Sequence, residues 1–214
     1  MKMKYIILIF APAIAVAILA IFVRFMQYEP LMPNEEDILA LKNTQGLQIP
    51  IYAEDPIIGN KKAPTTVVAF EDFGCGGCAT QSAIFDQLIK KYPDKIKLVW
   101  KGIPVTQFPH PTDMAHEYAF CANKQNKFYE FSKLAFSNSN NLSQEILNAI
   151  SDKIELNKKK LVECIDSGDA KIHIQKTEQL GMALNIQSVP TFFLNNKQIN
   201  QPQILEGWEA VLGL

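Results

Sequence analysis

Residues 67–78 read VVAFEDFGCGGC, and this stretch decides the fold. It begins with an apolar run, residues 67–70, that is typical of a buried β-strand, and it ends with two thiols, Cys75 and Cys78. Residues 79–91 follow with the apolar spacing of a helix. Two cysteines at this spacing are close enough to form a disulfide or to bind a metal together, so the stretch predicts redox or metal chemistry.

The whole chain has 214 residues and a formal net charge of -1 at pH 7. This length suits one domain with appendages, and the composition is that of an ordinary globular protein. Because the chain has no basic excess, nothing in its composition favours nucleic acid as a partner.

The N-terminus carries an unbroken apolar run over residues 5–23, preceded by Lys2 and Lys4. At 1.5 Å per residue a helix of this length spans about 28 Å, close to the thickness of a bilayer core. The positive end is expected to stay in the cytoplasm, so the remainder is exported. We therefore predict a single transmembrane anchor over residues 1–26. A signal peptide cleaved after residues 15–17 is the alternative, and both place the cysteines where disulfides persist.

The rest of the chain divides into a linker and one globular domain. Residues 27–50 are polar and proline-containing and are expected to form the linker, and residues 51–214 the domain. The pattern of the domain predicts a strand at residues 65–70, a helix at 78–91 and a strand at 96–101. A helical block is predicted next, at 112–137 and 143–183, followed by two strands at 191–194 and 197–199 and a helix at 206–214. This is the α/β order of a thioredoxin fold, with a helical insertion over approximately residues 105–184.

The two thiols have distinct predicted roles. A thiol at the start of a helix faces unpaired backbone N–H groups and the positive end of the helix dipole, which stabilise the thiolate. Cys75 has this position and is the predicted nucleophile. Cys78, one turn further along, is the predicted resolving thiol that closes the disulfide.

Several further motifs make the domain resemble the DsbA-like thiol-disulfide oxidoreductases. The segments that carry the resemblance are DPIIGN at 55–60, APTTVV at 63–68, FEDF at 70–73, FCA at 120–122, KFYE at 127–130, CIDSG at 164–168 and Val189-Pro190. The resemblance covers about residues 55–214. It implies that Pro190 is cis and lies beside Cys75, with the backbone near Val189 free to pair with a substrate peptide.

The same resemblance implies that Cys121 and Cys164 are joined in a structural disulfide. Two buried free thiols are the alternative, since cysteine also packs as a small apolar residue. Export of the domain favours the bridge.

Two positions depart from the pattern of this family. Many relatives carry a buried acid six residues before the first cysteine, where this chain has Ala69; Glu71 or Asp72 could replace it, or could face solvent. Gly76-Gly77 replaces the Pro-His pair of strong oxidants, so no side chain between the cysteines stabilises the thiolate. We therefore expect the pKa of Cys75 to exceed the value of about 3.5 found in DsbA, with an intermediate redox potential.

The sequence thus predicts an exported disulfide oxidase that acts on cysteine-containing client proteins. The resemblance implies reoxidation by a membrane partner of the DsbB or vitamin K epoxide reductase type, and no cofactor or resident metal is expected. A reductase or isomerase fed from the membrane remains open, as do a copper or zinc carrier and a redox-inert chaperone. The histidines, His110, His116 and His173, are expected to be surface or structural residues.

Overall fold

The computed structural model of the protein describes residues 48–214 and Leu19. The predicted anchor and most of the predicted linker lie outside the described residues. In the part that is described, no helix combines the length and the apolar character needed to cross a membrane.

After an additional short strand, the described domain has its strands and helices in the predicted order. Its strands are β1 (Ile57–Gly59), β2 (Thr65–Glu71), β3 (Ile96–Gly102), β4 (Thr191–Leu194) and β5 (Lys197–Ile199). Its helices are α1 (Gly76–Lys91), α2 (Asp113–Lys124), α3 (Phe128–Ser137), α4 (Gln144–Lys153), α5 (Lys158–Asp166), α6 (Asp169–Ala183) and α7 (Leu205–Leu212). Helices α2 to α6 are inserted between β3 and β4, so the prediction of a thioredoxin fold with a helical insertion is confirmed.

The five strands form one sheet in the order β1-β3-β2-β4-β5. The pair β2 and β3 is parallel, and α1 is the connection that parallel neighbours require. Both β1 and β4 run antiparallel to their neighbours. The dithiol therefore lies at the junction between the central strand β2 and helix α1.

Strand β2 is buried on both faces because its side chains alternate. Val67 and Ala69 pack in the cluster that contains Phe85 and Trp208, on the side of α1 and α7. Val68 and Phe70 pack in a second cluster on the opposite face, which includes Leu180 of α6. This double burial explains why the strand reads as a continuous apolar run.

The insertion has its own core, and that core includes the loop before the dithiol. Phe73 stacks on Trp100 of β3 with ring centroids 4.9 Å apart. Its ring also lies 4.9 Å from Phe136 and 5.9 Å from Phe131, both in α3. One side chain of the active-site loop thus joins the sheet to the inserted helices.

Three local features differ from the sequence prediction. The segment predicted as one helix over 112–137 is two helices, because Asn126 adopts a left-handed φ of 58° and the Lys127 N–H closes the turn on Ala122 O at 2.8 Å. Helix α1 begins at Gly76, two residues earlier than predicted, since the Cys75 side chain caps it. The three-residue strand β1 was not predicted and is too short to show a pattern.

Cys121 of α2 and Cys164 of α5 are joined by a disulfide with a Cα–Cα distance of 5.8 Å. The bridge links residues 43 apart in sequence and ties the first inserted helix to the fourth. Cys121 is fully buried in the core of the insertion, and Cys164 is half-buried against that core, so the bridge lies at its edge.

Removing this bridge should destabilise the domain. For a closed loop of this length the chain-entropy model gives a loss of at most about 4 kcal/mol. The measurement is urea unfolding of Cys121→Ala/Cys164→Ala against the parent, both carrying Cys75→Ser/Cys78→Ser so that no other disulfide can form. Unfolding midpoints that coincide would show that the bridge does not stabilise the fold.

Candidate active site

The dithiol lies at the N-terminus of α1, with Cys75 as the N-cap residue. Its Sγ accepts a hydrogen bond from the Cys78 backbone N–H at 3.1 Å. Cys75 is half-buried and Cys78 fully buried, and neither is in a disulfide in this structure. Gly76 and Gly77 are exposed and have no side chains. The groups between the cysteines that can contact a thiolate are therefore backbone N–H groups.

These donors make Cys75 acidic, although less so than the nucleophile of DsbA. A hydrogen bond from the Cys78 thiol, opposed by burial and assisted by the backbone N–H groups of Cys78 and Gly77, lowers the pKa of Cys75 to about 7. The nearby charge of Asp72 limits the fall in this pKa. This value lies above about 3.5, in the expected direction, and resembles the pKa of about 7 in thioredoxin.

Cys78 has the opposite character. Burial, its hydrogen bond to Cys75 and the charge of Glu71 all raise the pKa of Cys78 far above its ordinary value. The reduced site therefore pairs an accessible thiolate with a buried, protonated thiol. Any step that makes Cys78 a nucleophile or a leaving group must also move a proton.

The Val189–Pro190 peptide bond is cis and lies directly over the dithiol. The Val189 carbonyl oxygen is 3.6 Å from Cys75 Sγ. A Cβ on Gly77 would come within 3.4 Å of the Pro190 ring. Both residues precede β4, which pairs directly with β2, so the fold brings Val189 and Pro190 to the nucleophile from the neighbouring strand.

The sequence left open whether Glu71 replaces the missing buried acid or faces solvent. In the structure Glu71 is buried almost completely, with 1% of its surface exposed. It lies on the same side of β2 as Ala69, because strand residues two apart share a face. The carboxyl group missing from the family position is thus present one strand repeat closer to the dithiol. Burial and the negative charge of Cys75 raise the pKa of Glu71 to about 8, partly offset by the Trp100 indole N–H.

Asp72 is also buried, but its carboxylate is fully supplied with donors. It accepts from the backbone N–H groups of Thr106 at 2.7 Å, Val105 at 3.1 Å and Gly74 at 3.3 Å, and from His116 Nε2 at 3.0 Å. Burial would raise its pKa, but the hydrogen bonds from His116 and Thr106 hold the pKa of Asp72 well below its usual range. Asp72 thereby fixes the loop after β3 against the loop that carries the dithiol.

His116 is a structural histidine, as expected, although it is buried under the site rather than on the surface. Its ring fits against Gly102, where a Cβ would lie 2.4 Å from His116 Nδ1. His173 lies far along the insertion, where its Nε2 is 3.4 Å from Asp55 of the buried Asp55–Lys101 ion pair. The sequence does not predict that ion pair, because Asp55 precedes β1 and Lys101 lies in β3, far away along the chain. His110 is half-exposed.

Phe108 and Phe192 lie in different environments. Phe192 is fully buried in the core, and Phe108 is 88% exposed on the loop that Asp72 anchors. Cys75 and Cys78 could supply two soft ligands to a metal. Among residues 48–214 no group of three or more His, Cys, Asp or Glu side chains is placed to hold a metal ion.

Comparison with known proteins identifies this architecture. The family model described as Thioredoxin matches residues 52–213. The Na(+)/H(+) antiporter NhaA 3 of Salinispora tropica is 25% identical over 167 residues, which is 78% of this chain and 26% of the antiporter. The chain therefore spans about a quarter of the length of the first relatives it matches.

A second relative and a solved structure match over most of their own length. Disulfide bond formation protein D of Bacillus subtilis is 24% identical over 159 residues, covering 70% of this chain and 72% of that protein. The crystal structure of the thiol-disulfide exchange protein alpha-DsbA2 from Wolbachia pipientis superposes with a TM-score of 0.67 at 21% identity, covering 75% of this chain and 87% of that one.

Titration of the reduced protein should show one thiolate forming near pH 7. The backbone donors at the start of α1 stabilise the Cys75 anion, whereas Cys78 stays protonated throughout this range. Thiolate absorbance near 240 nm measures the transition, and Cys75→Ser is the control that should abolish it. A midpoint near the DsbA value of about 3.5 would contradict this electrostatic account.

Burial of Glu71 should make the reduced protein lose stability as the pH rises. The pKa of this carboxyl is about 8 in the fold against an ordinary value of 4.5, so the folded state binds the extra proton between these two pH values. This contribution to stability is therefore complete below the lower value and is lost as the pH rises through the higher one.

Glu71→Gln should remove that loss, which is at most about 1.4 kcal/mol per pH unit. Urea unfolding of reduced wild type and variant at pH 5, 6, 7 and 8 gives the difference, in which groups common to both proteins cancel. Glu163→Gln replaces an exposed carboxyl of α5 and serves as the matched control. Parallel pH profiles for wild type and Glu71→Gln would show that the carboxyl is not perturbed.

Proposed function

The chain belongs to the thioredoxin family, and on that basis we propose that it is an exported, membrane-anchored thiol-disulfide oxidoreductase of the DsbA type. It oxidises paired cysteines of client proteins through Cys75 and Cys78. The observation that carries this proposal is the contact at 3.6 Å between Cys75 Sγ and the Val189 carbonyl, beside the cis bond to Pro190. It unites a half-buried nucleophile with a half-buried length of backbone, at Val189 and Pro190, on which a peptide can align.

The first step transfers the disulfide to the client. A client thiolate attacks Cys75 Sγ of the Cys75–Cys78 disulfide, the bond to Cys78 breaks, and Cys78 leaves with the electron pair. Because Cys78 is buried and its pKa is strongly raised, it must receive a proton. Glu71, whose charge acts on Cys78, is suited to donate that proton, since its carboxyl holds one near neutral pH.

The second step releases the product. The client's other thiolate attacks the client sulfur in the mixed disulfide, and Cys75 leaves as a thiolate. The N–H groups at the start of α1 stabilise this anion. The client has lost two electrons and two protons, and the protein has gained both electrons as the Cys75 thiolate and the Cys78 thiol.

Repeated turnover requires reoxidation of the dithiol. We propose a membrane partner of the DsbB or vitamin K epoxide reductase type. The Cys75 thiolate would attack a disulfide of this partner, which would thereby accept the electrons. The apolar run at residues 5–23, with Lys2 and Lys4 before it, supports an anchor that holds residues 51–214 on the extracytoplasmic side of the membrane.

A reductase or isomerase is the second candidate, and the acidity of Cys75 is what favours it. A thiolate stabilised only by backbone, with a pKa of about 7, resembles that of thioredoxin more than that of DsbA. Such a site would give its electrons to a client disulfide and receive new ones from a membrane donor. The redox state of the dithiol in the cell distinguishes the two directions.

The proposal predicts a dithiol potential between about −120 mV, the value of DsbA, and about −270 mV, that of thioredoxin. Equilibration with glutathione measures it. Wild type should oxidise a dithiol peptide, Cys75→Ser should be inactive, and Cys78→Ser should accumulate a mixed disulfide with the peptide. Acid trapping and alkylation in intact cells should find Cys75 and Cys78 mostly oxidised; a mostly reduced pair would establish the reductase or isomerase instead.

A further inference from the structure

Two buried polar atoms beneath the dithiol have no hydrogen-bond partner among the described residues. They are Glu71 Oε1, in a residue that is 1% exposed, and Trp100 Nε1, in a residue that is 5% exposed. One is an acceptor when ionised and the other is only a donor. The Trp100 indole N–H lies close enough to Glu71 to lower the pKa of the carboxyl, but the two groups do not form a direct hydrogen bond of normal geometry. Unpartnered buried polar atoms are costly, so this pair of opposite type indicates a shared bridging partner.

Both residues line the same small cavity between β3, α1 and α3. Its volume is about 10 Å³, close to the least that accommodates one water molecule. The hydroxyl-bearing residues Ser82 and Ser132 also border it. A water here would have the several polar neighbours that a buried water requires.

Charged groups that reach the surface also line this cavity. Asp86 and Tyr129 are among its lining residues. The Asp86 side chain is 18% exposed, accepts a hydrogen bond from the Tyr129 hydroxyl and is paired with Lys90 at 2.8 Å. Asp86 is thus the one acid that borders the cavity and also has contact with solvent.

The spacing along α1 places Cys78, the cavity and Asp86 on one side of the helix. Cys78, Ser82 and Asp86 are separated by four residues each, so they lie on one helix face in successive turns. This face runs from the buried thiol, past the cavity, to the surface carboxylate. Ser82 is half-buried at the middle of the face, and its hydroxyl can both donate and accept.

We propose that the cavity holds one water, hydrogen-bonded to Glu71 and Trp100, and that this water and the Ser82 hydroxyl carry protons between Glu71 and Asp86. The inference rests on the proposed function, in which Glu71 gives a proton to Cys78. Once Cys75 has left as a thiolate, Glu71 takes a proton back from solvent along this path. Reoxidation of the dithiol sends one proton out again, so each cycle balances.

Because Glu71 is buried, it needs a path along which protons can reach it. Glu71 is almost without solvent contact, and its protonation must follow the charge of Cys75 in each half-cycle. The ionisable groups around it are Cys75 and Cys78 at the start of α1, Asp72 beside it, and Asp86, Tyr129 and Lys133, which line the cavity. Of these groups, the last three both line the cavity and have contact with solvent.

The test compares Ser82→Val, which removes the hydroxyl and fills the space beside the cavity, with Ser82→Thr, which keeps a hydroxyl. Ser137→Val is the matched control, because Ser137 is an exposed helical serine of α3 that does not line the cavity. The first readout is the infrared C=O band of protonated Glu71 in the reduced protein, assigned by its loss in Glu71→Gln. After rapid mixing with D₂O, its isotopic shift should slow at least about tenfold in Ser82→Val and remain fast in Ser82→Thr and Ser137→Val.

The second readout is single-turnover oxidation of a dithiol peptide. Ser82→Val should be slower than wild type by a similar factor, with a larger solvent isotope effect and an unchanged equilibrium potential. Isotopic shifts of the band at the wild-type rate in Ser82→Val would overturn the proton path. Because the infrared readout needs no client, it decides on the path even if the peptide is not oxidised, an outcome that would contradict the proposed function alone.

Discussion

Two neighbouring carboxyl groups at the end of β2, Glu71 and Asp72, are buried side by side yet hold opposite protonation states, and the chemistry of the dithiol depends on that contrast. Consecutive side chains of an extended strand point to opposite faces, so the two acids meet different surroundings. Asp72 receives three backbone N–H groups and His116, and it stays ionised. Glu71 has almost no donors, and burial keeps its proton on near neutral pH. Charge on either acid acts strongly on thiols a few residues away, because little solvent screens it.

The acidity of Cys75 results from two opposing influences. The N-terminus of α1 offers the thiolate hydrogen bonds from the Cys78 thiol and from backbone N–H groups, while Gly76 and Gly77 add no side chain. The charge of Asp72 works against the anion, and the anion in turn raises the pKa of Glu71. Thiolate formation and carboxyl protonation are therefore linked, so that electron transfer at the dithiol entails proton movement at Glu71.

The helical insertion is part of this arrangement. Its helix α2 supplies His116 to Asp72, and α3 packs Phe131 and Phe136 around Phe73 of the active-site loop. Helix α3 also provides Ser132 and Tyr129, which border the cavity next to Glu71. The disulfide between Cys121 and Cys164 ties α2 to α5 within the same unit. The insertion thus positions the loop before the dithiol and encloses the acid that serves it.

Apart from β1 and the break at Asn126, the sequence by itself determined the order of elements, the helix N-terminal position of Cys75 and the thioredoxin fold. These follow from local periodicity and from the spacing of Cys75 and Cys78. Ala69 showed that the family's acid is missing, but no local pattern could say whether Glu71 replaces it. Only the tertiary structure decided that Glu71 is buried beside Trp100, that Asp72 is bound by His116 44 residues away, and that Ser82 and Asp86 border the same cavity. The physical reason is that a carboxyl group's ionisation depends on its solvation and on the charges around it, which are set by residues distant in sequence.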